Sequence, residues 1–449
     1  MRVFTPLSLL ALALVACQGQ AAGTDSDSGT GTTEGSTTDV SSTTGTSEPA
    51  LTTGSSTEPT TGAAEGCEPG CGPDEACIAG SCEAVGRAEI EAGCHPLGEP
   101  GGRVQCVYPW PSDFYTVADP ESPTGRVVAL PAALLPKNKA GDLFAADELV
   151  NGWPGFSANA QIRFSTGQAV DKAGLPPIDD IARSLAEDSP TVLVATSTGE
   201  RWPHFAEVDA RAEAGEPKTI FIRPMRRLRA GERYVVAIRG LKTEGGGEFA
   251  PSPLFRALRD DLPTDVPQLE GERARYAEIF AALEEAGIAR ESLQLAWDFT
   301  VNDDATLQRD FEAIAPQIEA AVKDGDLGYV IEKVEENPDA AVALVVRGRF
   351  TVPNCLEGDG ATGSVFSRDP QGLPECSGQA EAPFWVAVPK SVYDAGVPVP
   401  AALWGHGLLG TGESATSVAT KTGAVVLIGT DIWGLAEEDI PTLFTLFGG

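Results

Sequence analysis

The sequence predicts a multidomain exported chain: a disordered tether, a small disulfide-rich module, a β-sandwich-like domain, and a mixed α/β region. Three observations carry this reading. A short apolar run ending in Cys17 opens onto a long Ser/Thr/Gly stretch, eight further cysteines fall into local groups, and short β-type runs give way after residue 260 to helical periodicity.

Residues 1–16 place Arg2 ahead of an apolar run from Leu7 to Val15. This is the layout of a secretory signal, and the run is too short to cross a bilayer. It ends in Leu14-Val15-Ala16-Cys17, which resembles the lipobox of bacterial lipoproteins. The resemblance implies that Cys17 is acylated and that the chain's first partner is a membrane, reached through the lipid. Gln18 stands where an aspartate would signal inner-membrane retention, so the same pattern implies the outer membrane of the cell envelope.

From Cys17 to Gly66 the chain is a tether. Residues 18–66 hold 22 Ser or Thr, nine Gly and no Lys or Arg, with only Val40 and Leu51 as larger aliphatic side chains. Too little apolar surface is available there to offset the entropy of ordering, so disorder is expected. A coil of this length spans roughly 40 Å.

Charge narrows the partners. Thirty-two basic residues against 65 acidic ones give a net charge of −33, of which the tether supplies only seven acids, so the folded part is itself acidic. Nucleic acid and anionic lipid are therefore excluded as partners of the bulk surface. The local run Arg223, Arg226, Arg227 and Arg229 reads either as a phosphate patch or as a solvated turn between strands, with the turn preferred.

The cysteines after Cys17 are even in number, as a disulfide framework in an exported chain requires. Cys67, Cys71, Cys77 and Cys82 crowd into a module spanning 67–103, with three pairings open to them. Cys94 with Cys106, and Cys355 with Cys376, each bracket a loop. Zinc is the alternative for the quartet, but its spacing lacks a C-x-x-C pair, so no metal and no cofactor is assigned.

Between 104 and 260, β-type runs at Arg126–Leu130, Thr191–Thr196, Thr219–Arg223 and Tyr234–Ile238 are separated by Pro and Gly, the pattern of an antiparallel sandwich. In the region 261–449, Tyr276, Ile279, Phe280 and Leu283 mark one face of a helix. Leu307, Phe311, Ile314, Ile318 and Val322 mark another, ending at Asp324-Gly325. Leu293–Val301 and Ala341–Val352 read as buried strands between them. Then the order becomes strand, turn, helix, strand, through Phe384–Pro389, Pro400–Gly410 and Ala424–Gly434, which suggests a parallel sheet covered on both faces.

The run "PAALWGHGLLG" resembles the oxyanion-loop segment of bacterial lipases and related α/β-hydrolases, where an apolar strand ends in His-Gly and an apolar residue. Here these are His406, Gly407 and Leu408. The resemblance implies that the Leu408 N–H is the oxyanion donor, that Gly407 lets backbone approach substrate, and that His406 shapes the loop without acting as base. The segments "YPWPSDFYTVADPESPTGRV", "GFSANAQIRF" and "GERYVVAIRGL" likewise resemble the β-rich N-terminal domain of some bacterial extracellular lipases. An ester or lipid substrate follows for full-length relatives.

Departures from that family are equally informative. No G-x-S-x-G elbow occurs, and only 43 residues follow His406, so the hydrolase-like part is expected to be truncated and inactive as given. A triad of Ser414, His406 and Asp431 can be written down, but Ser414 reads better as a helix cap. His204, near Glu207 and Asp209, suggests a packed loop over a metal or acid/base site, and His95 beside Cys94 a disulfide-pinned loop. "LEGDGATG" from Leu356 to Gly363 could hold calcium but lacks EF-hand spacing. The competing function is a non-catalytic surface protein that binds protein or polymer, to which Tyr108, Trp110, Phe114 and Tyr115 would contribute.

Overall fold

A computed structural model describes residues 66–67, 70–98, 106–135, 137–143, 151–167, 169–211, 218–325, 327–358 and 363–448. The signal, Cys17 and the tether as far as residue 65 lie outside the described residues.

The cysteine quartet folds around a two-residue hairpin. Strands β1 (Glu75–Ile78) and β2 (Ser81–Ala84) are joined by Ala79 and Gly80 at φ 47° and 85°, both left-handed, as a tight hairpin whose twist matches its strands requires. Disulfides Cys67–Cys77 and Cys71–Cys82 tie each strand to the incoming chain. The hairpin docks on the rest of the molecule: Ala79 N–H reaches Pro263 O, Cys77 N–H reaches Asp265, and Arg87 pairs with Asp265 at 2.8 Å. Its Ala76 and Ile78, with Ile90 of helix α1 (Arg87–Glu91), belong to the main core. Cys94–Cys106 closes the next loop.

Every pair of strands in the β-rich part is antiparallel. A hairpin, β3 (Thr116–Ala118) and β4 (Arg126–Val128), accompanies two sheets. Strands β5 (Ile162–Thr166), β9 (Lys218–Pro224) and β8 (His204–Val208) form one, in that order. Strands β11 (Leu293–Thr300), β10 (Arg233–Arg239), β6 (Thr191–Ala195) and β7 (Glu200–Arg201) form the other. All eight residues of β11 are buried, which requires cover on both faces. One face meets the three-stranded sheet, where Phe164 lies 6.0 Å from Trp297. Helices α2 (Pro253–Arg259), α3 (Pro267–Glu270) and α4 (Arg273–Glu285) add further cover, with the Tyr276 hydroxyl donating to Ala296 O. The face Tyr276, Ile279, Phe280 and Leu283 is buried as its periodicity predicts. One continuous core thus runs from Ala76 to Val301, across residue 260, where the sequence pattern changes.

After Val301 the architecture changes. Helix α5 (Asp304–Asp324) is capped by Asp303, which accepts from Thr306 N–H, and stops at Gly325 with φ 74°. Its predicted apolar face forms but is not covered: Phe311 is 78 % exposed. The remaining elements are β12 (Tyr329–Glu336), β13 (Val342–Pro353), β14 (Gln379–Pro389), α6 (Lys390–Ala395), β15 (Ala401–Gly405), α7 (Ser414–Thr422), β16 (Val426–Thr430) and α8 (Ile440–Gly448). Their sheet has the order β12-β13-β14-β16-β15. The parallel sheet expected of Phe384–Pro389, Pro400–Gly410 and Ala424–Gly434 holds for β15 and β16 and is corrected for β14, which runs antiparallel to β16; the pairs β12/β13 and β13/β14 are antiparallel too. The long strands β13 and β14 return on each other across the loop stapled by Cys355–Cys376, and a direct return makes an antiparallel pair. Only β15-α7-β16 has the helical crossover that parallel pairing needs. Helix α7 places Ala415 and Ala419 on one face of the sheet, over Val345, Ala387 and Leu427. Val346, Phe384, Val386 and Val388 occupy the other. β15 lies at the sheet's edge, and its Leu403 is 73 % exposed.

Candidate functional site: the His406 loop and a neighbouring cleft

His406, Gly407 and Leu408 sit in the turn from β15 into α7, at the carboxyl end of the parallel pair, where open α/β sheets bind ligands. Two glycines fix the loop against the sheet. A Cβ at Gly412 would lie 2.5 Å from Thr430 N, and one at Gly429 would lie 2.1 Å from Gly412 O, so backbone packs on backbone there. Asp431 accepts the Gly412 N–H at 2.7 Å, and Leu409 adopts φ 58° while donating to Leu435 O at 2.7 Å. The Leu408 N–H has no acceptor among the described residues, and the Leu408 side chain is 76 % exposed.

His406 is held at both ring nitrogens. Nδ1 lies 2.7 Å from Gly407 O, to which it donates, and Nε2 accepts the Ile432 N–H at 2.8 Å. The imidazole thus splints the loop to the segment after β16 and keeps no nitrogen for proton transfer. Ser414 is elsewhere engaged: its hydroxyl donates to Thr411 O at 2.7 Å and accepts from Trp404 Nε1 at 3.0 Å. The structure therefore does not assemble Ser414, His406 and Asp431 into a triad.

The other sequence candidates are structural. His204 is fully buried, donating from Nδ1 to Trp202 O and accepting at Nε2 from the Thr191 hydroxyl, and burial pushes its pKa down to about 4. His95 is equally buried, bonded to the Ser112 hydroxyl at 3.0 Å and to Leu97 N–H, with its pKa lowered well below the usual value by burial and then by Arg275. Tyr108 and Tyr115 are buried, and Trp110 and Phe114 pack against the core, so the aromatic run builds the interior and is not a binding surface. Asp113 from the same run accepts from Thr300 N–H and hydroxyl at 2.9 and 2.7 Å, tying it to β11, and burial raises its pKa. The basic run makes ion pairs: Arg226 and Arg229 with Glu200, Arg227 with Asp304, Arg223 with Glu207. Arg226 also stacks 3.6 Å over Trp202, so these guanidiniums are spent within the protein. Sulfur atoms of Cys67, Cys71 and Cys82 lie close together, but each is consumed by a disulfide and cannot ligate zinc. Residues 359–362 of the acidic "LEGDGATG" loop lie outside the described residues.

A cleft of about 570 Å³ lies beside the segment that starts at Asp431, the acceptor of the Gly412 N–H. Its floor is the face of β13 and β14 that carries Arg347, Arg349, Glu381 and Trp385, and its walls are the Cys355–Cys376 loop and the segment 431–439 with Trp433. Arg347 and Trp385 are cross-strand partners. Arg347 reaches Glu413 at 2.6 Å, and Arg349 reaches Glu332 at 3.2 Å. This cleft escaped the sequence reading. Its signal was the even spacing of Arg347 and Arg349, and of Glu381 and Trp385, which puts polar and aromatic residues on one side of otherwise apolar strands.

Compared with known proteins, the chain matches no family model, no curated sequence and no solved structure.

Proposed function

We propose that this chain is a lipoprotein, held at the outer membrane through Cys17, whose C-terminal sheet is related to that of serine esterases and lipases and which has no hydrolytic centre within these 449 residues. The observation that carries the kinship is the Leu408 N–H, without an acceptor among the described residues, in a glycine-framed turn between a parallel strand and its following helix. A tetrahedral oxyanion needs a preorganised donor of this kind. The open edge of β15, with Leu403 outward, is what a further parallel strand carrying a nucleophile would cover. Within the sequence no G-x-S-x-G supplies that nucleophile, and His406 has no nitrogen free to serve as base.

The test is turnover of p-nitrophenyl butyrate by the purified chain. No rate above buffer is expected, and turnover abolished by Ser414→Ala would overturn the inactive reading. For the anchor, Cys17→Ser is expected to move the protein from the membrane to the soluble fraction; unchanged fractionation would remove the lipid from the account. The cleft favours a second reading, a surface protein that binds a partner or polymer without hydrolysing it.

A further inference from the structure

We infer that the outer edge of β15 is a dimer interface, on which a second copy of this chain pairs antiparallel across a twofold axis through Leu403. The inference does not rest on kinship to hydrolases. Among the described residues β15 is the last strand of its sheet, paired only with β16. Val426 N–H donates to Pro400 O, and in a parallel pair every second residue bonds to the neighbouring strand. Ala402 and Trp404 therefore turn their backbone groups to β16, while Ala401, Leu403 and Gly405 turn theirs outward. A free edge of this kind is ordinarily blunted by charge, proline or a bulge. The opposite edge follows that rule: β12 carries Glu332, Lys333, Glu335 and Glu336 and is bulged between Ile331 and Lys333. β15 has none of these devices. Its pairing with β16 is regular, and no charged side chain occurs from Ala395 to Gly412.

Self-pairing satisfies this edge in a single register. With Leu403 opposite its own copy, its N–H and C=O bond to the partner's Leu403, and those of Ala401 bond to the partner's Gly405. Every outward N–H and C=O of both strands then has a mate, which no other register achieves within the strand. The side chains agree with it. Leu403 is 73 % exposed and shares a face with Ile428, which packs on the Val346 and Val386 cluster, so two facing leucines continue that apolar surface. On the other face Trp404 lies beside the partner's Ala402, large against small. Two chains of net charge −33 thus meet along a segment where no like charges oppose each other. Because the contact is isologous it closes at two copies, and the charged β12 edge does not extend it.

The experiment is sedimentation velocity on the full chain with intact disulfides, carrying Cys17→Ser so that no acyl chain drives association. A reversible monomer–dimer equilibrium is expected at micromolar concentrations, with no larger species. Leu403→Lys sets like charges directly opposite each other and takes a leucine from each copy, so dimerisation should weaken on the order of a hundredfold. Leu403→Glu should do the same alone. An equimolar mixture of the two variants should dimerise again, because opposite charges then face each other, and that rescue also shows that both variants fold. A parent chain that stays monomeric would overturn the inference and leave the edge to a strand of another protein. Growth beyond two copies would overturn the closed register. A dimer that survives Leu403→Lys, or a mixture that stays monomeric, would overturn the pairing of Leu403 with its own copy.

Discussion

The unit from Ala76 to Val301 and the sheet from Tyr329 to Thr430 are both β-rich, yet they are finished differently. In the first, the central strands are covered on both faces and Trp297, Tyr234 and Phe299 are fully buried within one continuous core. In the second, two small clusters lie on opposite faces of one sheet, its edge strand β15 exposes Leu403, and the neighbouring helix α5 exposes Phe311. The comparison teaches that the first unit is where stability resides, and that the open surfaces, together with a cleft of about 570 Å³, belong to the second. A loop that must meet a ligand cannot be sealed as a core strand is sealed.

The largest expected effect tests whether the first unit holds the stability. Trp297→Ala removes a fully buried ring whose Nε1–H donates to Pro111 O, and should cost about 3–5 kcal/mol in chemical denaturation. A loss below 1 kcal/mol would break the comparison. Next, replacing Cys94 and Cys106 by Ser opens a crosslink 12 residues apart in sequence, and about 3 kcal/mol should be lost, read as a lowered denaturation midpoint.

A third effect depends on pH. His204 titrates near 4 in the fold against about 6.5 when unfolded, so between these values the unfolded chain binds the extra proton and stability falls as pH falls. His204→Gln should remove roughly 2 kcal/mol of the difference between unfolding at pH 7 and at pH 4.5, relative to the parent protein. An unchanged pH dependence would show that this imidazole is not held neutral by its burial against Thr191 and Trp202. The smallest effect lies in the second region. Leu403→Lys on the free edge should change stability by less than about 0.5 kcal/mol while lowering self-association in light scattering, because a charge on an edge strand discourages pairing with another chain. A large destabilisation would mean that this edge is not open.

Much of the element pattern was legible because it rests on local rules. Strands at Arg126, Thr191, Thr219 and Tyr234, the helix face from Tyr276 to Leu283, and the stop at Gly325 follow from period, propensity and capping. The Cys94–Cys106 and Cys355–Cys376 loops followed from proximity in sequence. His406-Gly407-Leu408 was legible as a loop after a strand. Its bonding to Ile432, and the separation of Ser414 from His406, were not, because they depend on how segment 431–439 returns over the sheet.

The sequence by itself determined which residues form strands and helices, where cysteines abound and how acidic the chain is, since these depend on neighbours along the chain. Only the tertiary structure decided which of three pairings the quartet adopts, and that β11 and α4 complete the first core. It also decided that β14 runs antiparallel to β16, and that Arg347 and Trp385 meet on the floor of a cleft. Those outcomes rest on contacts between residues far apart in sequence, where burial and strand direction are set by the whole packing and no local pattern records them.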